Sequence, residues 1–398
     1  MNVPGYIARR YLLAKSRQTA VNLISAVTLL VALIGSASLF VVLSGFSGLK
    51  EFSIAYTEMT DPDLKVLPIK GKYLTDVPAL SAKINALKGV AASAPELEER
   101  VYLTHGEKSQ TAWIKGVAPN WPEVIPIEKN LYLGDWDVEG VGILGLGLAQ
   151  TLGVTVGPYS QPIGVLVPKP IKKGALSTST PYEQGFLTLS AVYAVDADWD
   201  QKYLITDLRW VQALLGRDPE QATGISIKLN EQGIQDPAYW ARQIQKWAPN
   251  QYVVKTRIQL NSALYKMLNT EYAATYGVFT LVLIIALFNL VGAMITIILD
   301  KRQNADTLFA LGLTSRDIQR IYLIQGIGLS VIGGLGGLLL GSALIGSQLY
   351  FGWLEIGAGL AYPVAFEWKN FLLVVVTISV LGSITSWVAS RRAARVDS

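Results

Sequence analysis

The sequence predicts an α-helical membrane domain of four transmembrane helices joined to a mixed α/β domain outside the membrane. Two observations carry that prediction. Four long chargeless runs lie between Gln18 and Leu49, Ala273 and Leu299, Ile321 and Leu354, and Asn370 and Ser390, and one polar block separates the first from the other three. Each run supplies the ~20 apolar residues a helix needs to cross hydrocarbon. Lipid leaves backbone polar groups no partner outside the segment, so runs this long are helical spans despite β-branched stretches such as Val374 to Val376. Their cores are Val21 to Leu43, Tyr276 to Leu299, Ile321 to Leu344, and Phe371 to Val388.

Orientation follows from the short flanks, because Lys and Arg stay preferentially on the cytoplasmic side. Arg9, Arg10, Lys15 and Arg17 precede the first span, Lys301, Arg302, Arg316 and Arg320 follow the second, and Arg391, Arg392 and Arg395 follow the fourth. Both termini are therefore expected inside and the polar block outside. The expected order is a cytoplasmic segment 1–20, span 21–46, outer domain 47–270, span 271–299, cytoplasmic link 300–320, span 321–351, outer loop 352–370, span 371–390 and tail 391–398. A cleaved signal peptide is the other reading of the first run. Its apolar stretch exceeds the ~7–15 residues of a signal core, and its removal leaves an odd number of spans.

The net charge of +4 is what basic cytoplasmic loops produce and calls for no nucleic acid. With no cysteine and a single histidine, His105, the chain forms no disulfide, thiolate metal site or cysteine nucleophile. His105 sits at a hairpin turn beside Gly106 and Glu107, where no second histidine completes a common metal set, so no metal site is expected. A phosphate loop, an HExxH helix and a Gly-x-Ser-x-Gly elbow are all missing from the sequence. The chain is therefore read as non-catalytic, with no cofactor of its own; active transport would need a separate motor. The spans carry no ionisable residue, which argues against ion-coupled transport. Asn22, Asn289 and Gln325 read as interhelix hydrogen-bonding groups.

In the outer block, Asp63 to Ile69 reads as a strand, Val77 to Leu87 as a helix, and Val90 to Thr104 with Gln110 to Val117 as a hairpin closed near His105-Gly106. A second strand, helix, strand set returns at Gly224 to Leu229, Pro237 to Ala248 and Tyr252 to Thr256, and the two sets can pair into one split βαβ layer. Between them, about 119–218 reads as an inserted β-rich subdomain. Glu96, Glu98 and Glu99 read as a solvated edge or as functional acids. The segment Pro168 to Gln184, with Pro170, Lys172, Lys173, Leu176 and Pro181, is too long for an ordinary hairpin loop. It is either a solvated excursion or a projecting contact for an acidic partner. Past the spans, Phe46, Leu49 and Phe52 extend the first helix outward, and a helix from Ile258 runs into the second.

Inside, Gln303 to Leu311 favours a short helix stopped at Gly312, and Thr314 to Asp317 forms a capping box that opens the next. Leu308, Phe309 and Leu311 then need cover. Either the membrane interface supplies it or a groove in a cytosolic ATPase does. On the third span Gly333, Gly337 and Gly341 recur at four-residue spacing, either for packing within the chain or as a dimer seam.

These residues resemble the permeases of the lipoprotein-releasing system, the LolC/LolE type within the MacB/FtsX superfamily of ABC transporters. The resemblance covers essentially the whole chain. It rests on Ala8-Arg9-Arg10-Tyr11-Leu12, Ser44-Gly45-Phe46, Ile143 to Val156 with Gly147-Leu148-Ala149 and Leu152-Gly153-Val154, Asp300-Lys301-Arg302-Gln303 leading to Ala310-Leu311-Gly312, and Ala389-Ser390-Arg391-Arg392-Ala393. It departs from the family at Asn304, Phe309 and Leu313. The resemblance implies a MacB-like porter with an inserted β-rich subdomain, a second permease copy or a sister permease, and a LolD-like cytosolic ABC ATPase that binds the ATP and Mg. It further implies a LolA-like periplasmic carrier captured by the Pro168 to Gln184 loop. A coupling helix is implied with Arg302, Gln303, Leu308, Phe309, Leu311 and Gly312, and a lipid cavity near Phe40, Leu43, Phe46, Phe279 and Val282. The expected function is then extraction of lipoproteins from the inner membrane. MacB-type efflux, FtsX-type regulation of cell-wall hydrolases, and a membrane-anchored periplasmic enzyme or scaffold are the alternatives.

Overall fold

The computed structural model describes residues 3–13, 19–157, 160–168, 182–356 and 360–393. The chain folds as two compact units, Met1–Ile54 with Leu264–Ser398, and Ala55–Ala263. Helix α1 spans Val3–Leu13 and α2 spans Thr19–Thr60. At 42 residues α2 is far longer than the ~20 needed to cross hydrocarbon, because nothing in its sequence stops it before Asp61.

The polar unit opens with β1 (Leu64–Pro68), α3 (Val77–Asn85), β2 (Val90–His105) and β3 (Lys108–Val117). There follow β4 (Leu131–Gly134), β5 (Val141–Gly145), α4 (Leu146–Leu152), β6 (Ile163–Pro168) and β7 (Tyr182–Tyr193). Next come α5 (Ala197–Asp200), β8 (Tyr203–Asp207) and α6 (Leu208–Leu214). It closes with β9 (Gly224–Leu229), α7 (Pro237–Gln245), β10 (Tyr252–Thr256) and α8 (Arg257–Leu260).

Strands β10, β1, β9 and β2 lie side by side, each antiparallel to the next, with α3 and α7 as crossovers: the split βαβ layer. The stretch 119–218 does not stand apart from it, because its strands continue the same ten-stranded sheet. Long β2 serves both halves. Val90 to Glu96 pairs with β9, whereas Glu96 to His105 pairs with β3, and Tyr102 to Thr104 also meets β6. From there β3 pairs β8, β8 pairs β5, β5 pairs β7, β7 pairs β6, and β6 returns to β2. The ring β2-β3-β8-β5-β7-β6 is thus closed, which removes its free edges. Alternating inward residues Leu97, Val101 and Leu103 of β2 meet Ile163, Val165, Leu187 and Leu204 in its core, with Leu148, Leu152 and Val211 of α4 and α6. A separate core gathers Leu64, Val66, Ile84, Ile225, Ile227 and Ile244 under α3 and α7.

Asn261 separates α8 from α9 (Ser262–Asp300), so the helix expected to run unbroken from Ile258 into the second span is interrupted there. Then follow α10 (Arg302–Ala310), α11 (Ser315–Phe351) and α12 (Trp368–Ala393). Among the described residues, four helices are long and apolar enough to cross a membrane: α2, α9, α11 and α12. Leu39, Phe40 and Leu43 of α2 pack with Leu283, Leu287, Leu338, Val374 and Ile378 in a shared core.

The glycines of α11 face α2. A Cβ on Gly333 would lie 2.8 Å from Ala32 Cβ, one on Gly341 would lie 3.1 Å from the Phe40 ring, and one on Gly337 would collide with Leu33 O and Ser36 Oγ. The stripe packs within the chain, letting two backbones approach closely. On another side of α11, Gly334 meets Ile378 and Gly326 meets Ser386 of α12.

Candidate functional site

Three features of the molecule bear on function, and the first two carry expected residues. The first is the link between α9 and α11. Helix α10 ends as Leu311 N donates to Thr307 O at 3.1 Å and Gly312, at φ +95°, turns the chain; Gly312 N donates to Phe309 O at 2.9 Å. The Thr314-Asp317 capping box then starts α11. Arg302 and Gln303 are exposed on the first turn. The three apolar groups divide, which corrects the expectation that all of them await cover. Phe309, with Ala305, packs against Leu290, Met294, Ile297, Ile318 and Tyr322, so it closes the helix core. Leu308 is half-buried, whereas Leu311 is 74% exposed. Leu311 is the apolar group this link presents outward.

The second feature is the outward face of the spans. Of the residues expected around a lipid cavity, Phe40 and Leu43 are fully buried; Phe40 meets Phe366 and Phe371 edge-on at 5.6 and 6.0 Å. Phe46 leans on Tyr272 at 5.9 Å, and Phe279 packs on the same core. Val282 alone among them is exposed. It belongs to a stripe on α9 with Val278, Leu281, Ile285 and Phe288, and α2 carries a matching one at Leu23, Val27, Leu30 and Ile34. Those spacings of three and four residues are one face of a helix. Asn289 is exposed and Gln325 is buried. Asn370 donates to Ser47 Oγ at 2.9 Å and accepts from Tyr272 OH at 2.7 Å, joining α2, α9 and α12, a polar link that sequence reasoning passed over. Its position at the edge of an apolar run was the available signal.

In the polar unit, Pro168 and Tyr182 stand opposite each other at the ends of β6 and β7. Pro170, Lys172, Lys173, Leu176 and Pro181 lie outside the described residues. His105 donates from Nδ1 to Leu152 O at 3.3 Å, linking the hairpin end to α4.

The third feature was not foreseen. Glu96 and Glu98 are not a solvated edge. Lys65 of β1 pairs with Glu96 and reaches Glu98 at 3.4 Å; Lys115 of β3 lies 2.8 Å from Glu98 and 3.8 Å from Glu96. Trp121 Nε1 donates to Glu96 Oε2 at 3.0 Å, and Lys115 Nζ sits 5.0 Å from the Trp199 ring and 4.8 Å from the Tyr203 ring. Burial alone would push the carboxyls up and the ammonium groups down. The opposite charges outweigh it, holding Glu96 and Glu98 below the ordinary carboxylate range and Lys65 and Lys115 above the ordinary lysine value. With every charge matched and held in protein, the quartet is built for position rather than proton transfer. It stands where β2 changes partners, next to a cavity of about 680 Å³ lined by Lys72, Tyr73, Glu99, Arg100 and Arg217. A second tie, Arg257 to Glu58 Oε1 at 2.8 Å and to Asp63 Oδ1 at 2.5 Å, joins the end of α2 to the start of α8.

Residues 276–397 match the family model for the FtsX-like permease C-terminal region. Four apolar helices and this match fit a membrane permease. The lipoprotein-releasing system transmembrane protein LolC of Neisseria meningitidis serogroup B is 25% identical over 393 residues, covering 88% of this chain and 88% of that protein. LolE of Haemophilus influenzae is 24% identical over 426 residues, covering 100% of this chain and 98% of that protein. The periplasmic region of MacB from Actinobacillus actinomycetemcomitans superposes with a TM-score of 0.37 at 10% identity, over 52% of this chain and 94% of that one, too loosely to bear on the argument. Over most of its length the chain is similar to LolC/LolE-type permeases of the MacB/FtsX superfamily.

Proposed function

We propose that this chain is the permease subunit of an ATP-driven complex that extracts lipoproteins from the bacterial inner membrane and hands them to a soluble periplasmic carrier. The observation that carries this reading is the end-to-end similarity to lipoprotein-releasing permeases, on a chain whose four apolar helices bracket one large polar unit. The basic flanks support an orientation with both termini and α10 in the cytoplasm and the Ala55–Ala263 unit in the periplasm. That unit supplies the porter, the closed β-ring its insert.

The physical problem is the cargo's acyl chains. Drawing three of them from lipid into water costs roughly 30 kcal/mol or more at ~0.8 kcal/mol per CH₂. Transfer therefore needs one apolar shelter after another and an energy source. The outward stripes of α2 and α9, with Val282 among them, are the first shelter, completed by a second permease copy or a sister permease. Phe40 and Leu43 stiffen it from behind, and Phe46 and Phe279 lie between. ATP and Mg reside on a LolD-like ATPase. Leu311, exposed at the end of α10 opposite Arg302 and Gln303, enters its groove, while Phe309, Leu308 and the Gly312 turn hold the helix to the spans, so that closure of the ATPase moves α9 and α11. The receiving shelter is a LolA-like carrier, met by the Pro168 to Gln184 segment.

Purification of the tagged protein in mild detergent tests the reading. A small cytosolic ATPase and an acylated lipoprotein are expected together. A cell-wall hydrolase in place of the lipoprotein would move the chain to the FtsX type, and no ATPase would refute the transporter reading.

A further inference from the structure

The connection between α11 and α12 is built unlike an ordinary loop. With the helix ends that flank it, it carries Tyr350 and Trp353, 83% and 61% exposed, and Phe351, Ile356, Leu360 and Trp368, also exposed. Large apolar groups in such number on one short connection call for a cover.

The backbone beneath them is fixed. Gly352, at φ +59°, ends α11 and reverses the chain. Buried Gln348 accepts from Leu354 N at 3.0 Å and donates to Leu354 O at 2.9 Å and to Tyr362 O at 3.2 Å. Tyr362 N donates to Leu354 O at 2.7 Å and Ile356 N to Leu360 O at 2.8 Å. Trp353 Nε1 donates to Ser347 Oγ at 3.3 Å. On the other side, a Cβ on Gly48 of α2 would collide with Pro363 and Val364, and Ala365 N donates to Ser44 O at 3.0 Å. Held this way, the apolar side chains cannot fold back into the core.

Depth identifies the cover. From Arg320 to Tyr350 α11 rises roughly 45 Å at ~1.5 Å per residue, which is the ~40–45 Å of a bilayer with its headgroups. Trp368 begins α12 on the same side, in ring contact with Phe371 at 5.5 Å. The patch is therefore continuous with the lipid-facing surface of two spans and lies at headgroup level, where Trp and Tyr are favoured.

We propose that the α11–α12 connection is a membrane-surface element, its aromatic and aliphatic side chains seated in the headgroup and acyl boundary of the leaflet opposite α10. It fixes the height of α11 and α12 in the bilayer and disturbs the lipid around their ends. This rests on the four helices spanning a bilayer and is independent of what the complex transports.

The sequence has no cysteine, so Trp353→Cys, Ile356→Cys and Leu360→Cys each take one nitroxide without background, at positions whose exposure spares the core. Collision of the label with oxygen and with a water-soluble nickel chelate is measured in nanodiscs of phosphatidylethanolamine and phosphatidylglycerol. Controls are Val380→Cys, exposed in the middle of α12, and Glu107→Cys on the polar unit. All three patch labels should favour oxygen over nickel several-fold relative to Glu107→Cys, and lie shallower than Val380→Cys. Free nickel access at the patch would overturn the proposal by placing it in water. Low collision with both reagents would overturn it by placing a second copy or another protein there. If the Val380→Cys label is itself water-exposed, the spanning assignment fails along with it.

Discussion

Glu98 and Lys115 show how a pair of charges hides in a sequence. The two-residue turn at Gly106-Glu107 pairs His105 with Lys108, and counting back along the hairpin sets Glu98 opposite Lys115. That half of the quartet was legible from the register of the hairpin alone. Lys65 was not, because it arrives through the order β1-β9-β2, which no local pattern encodes. Breaking one side of such a buried network leaves charge unmatched, so Lys115→Met is expected to destabilise the fold by about 3–5 kcal/mol in denaturant unfolding followed by tryptophan fluorescence. The pH dependence has a definite sign. The carboxyl pKa values of Glu96 and Glu98 are depressed, so their contribution is present above the unfolded value near ~4.3 and is lost as pH falls toward the folded values. Those of Lys65 and Lys115 are raised, so their share is present below ~10.4 and lost only as pH climbs beyond it. Lys115→Met removes the cation that holds the carboxyls down, and the acid-unfolding midpoint should move to higher pH. An unmoved midpoint would show that the quartet does not couple to folding. Among glycines, Gly337→Ala should cost about 1–3 kcal/mol by overpacking against α2. Gly346→Ala, with nothing near its added Cβ, should be neutral or stabilise by up to about 1 kcal/mol through helix propensity. Thermal melts of both in detergent make the comparison.

At the level of elements, the spans and both strand-helix-strand sets were legible because length and period are local properties. The capping box at Thr314 and the stop at Gly312 were equally local. What local pattern did not give was which face of α10 turns inward. Leu308, Phe309 and Leu311 look alike in sequence, and only the packing of Phe309 against the helix core that contains Ile297 and Tyr322 separates them. Leu311 and Phe309 therefore make different predictions. Leu311→Asp should leave yield and melting temperature unchanged while the ATPase is lost from the purified complex. Phe309→Asp should lower the yield of folded protein itself, since it drives a charge into the helix core. Full ATPase recovery with Leu311→Asp would remove α10 from the coupling role. The closed ring of β2, β3, β8, β5, β7 and β6 was out of reach for a related reason: its parallel β3–β8 and β5–β7 pairs and the return of β6 to β2 join residues far apart in sequence.

On the scale of the whole molecule, the four spans with a polar unit between the first and second were plain from hydropathy, and the cavity set was the part least well read. Phe40 and Leu43 entered through the resemblance, as positions on the upper part of the first span, and a place along a span does not tell lipid-facing from core-facing positions. The helix period resolves it, since Val278, Leu281, Val282, Ile285 and Phe288 repeat on one face. A permease that shelters acyl chains on those faces should lose transfer, with folding retained, when Val282 and Ile285 are replaced together by Asn. The most direct measurement reconstitutes the chain with its ATPase in proteoliposomes carrying a triacylated lipoprotein and follows release to a soluble carrier on addition of ATP and Mg. The account predicts release that depends on ATP, carrier and this chain together. Lipoprotein that stays in the bilayer while the same complex hydrolyses ATP would contradict it.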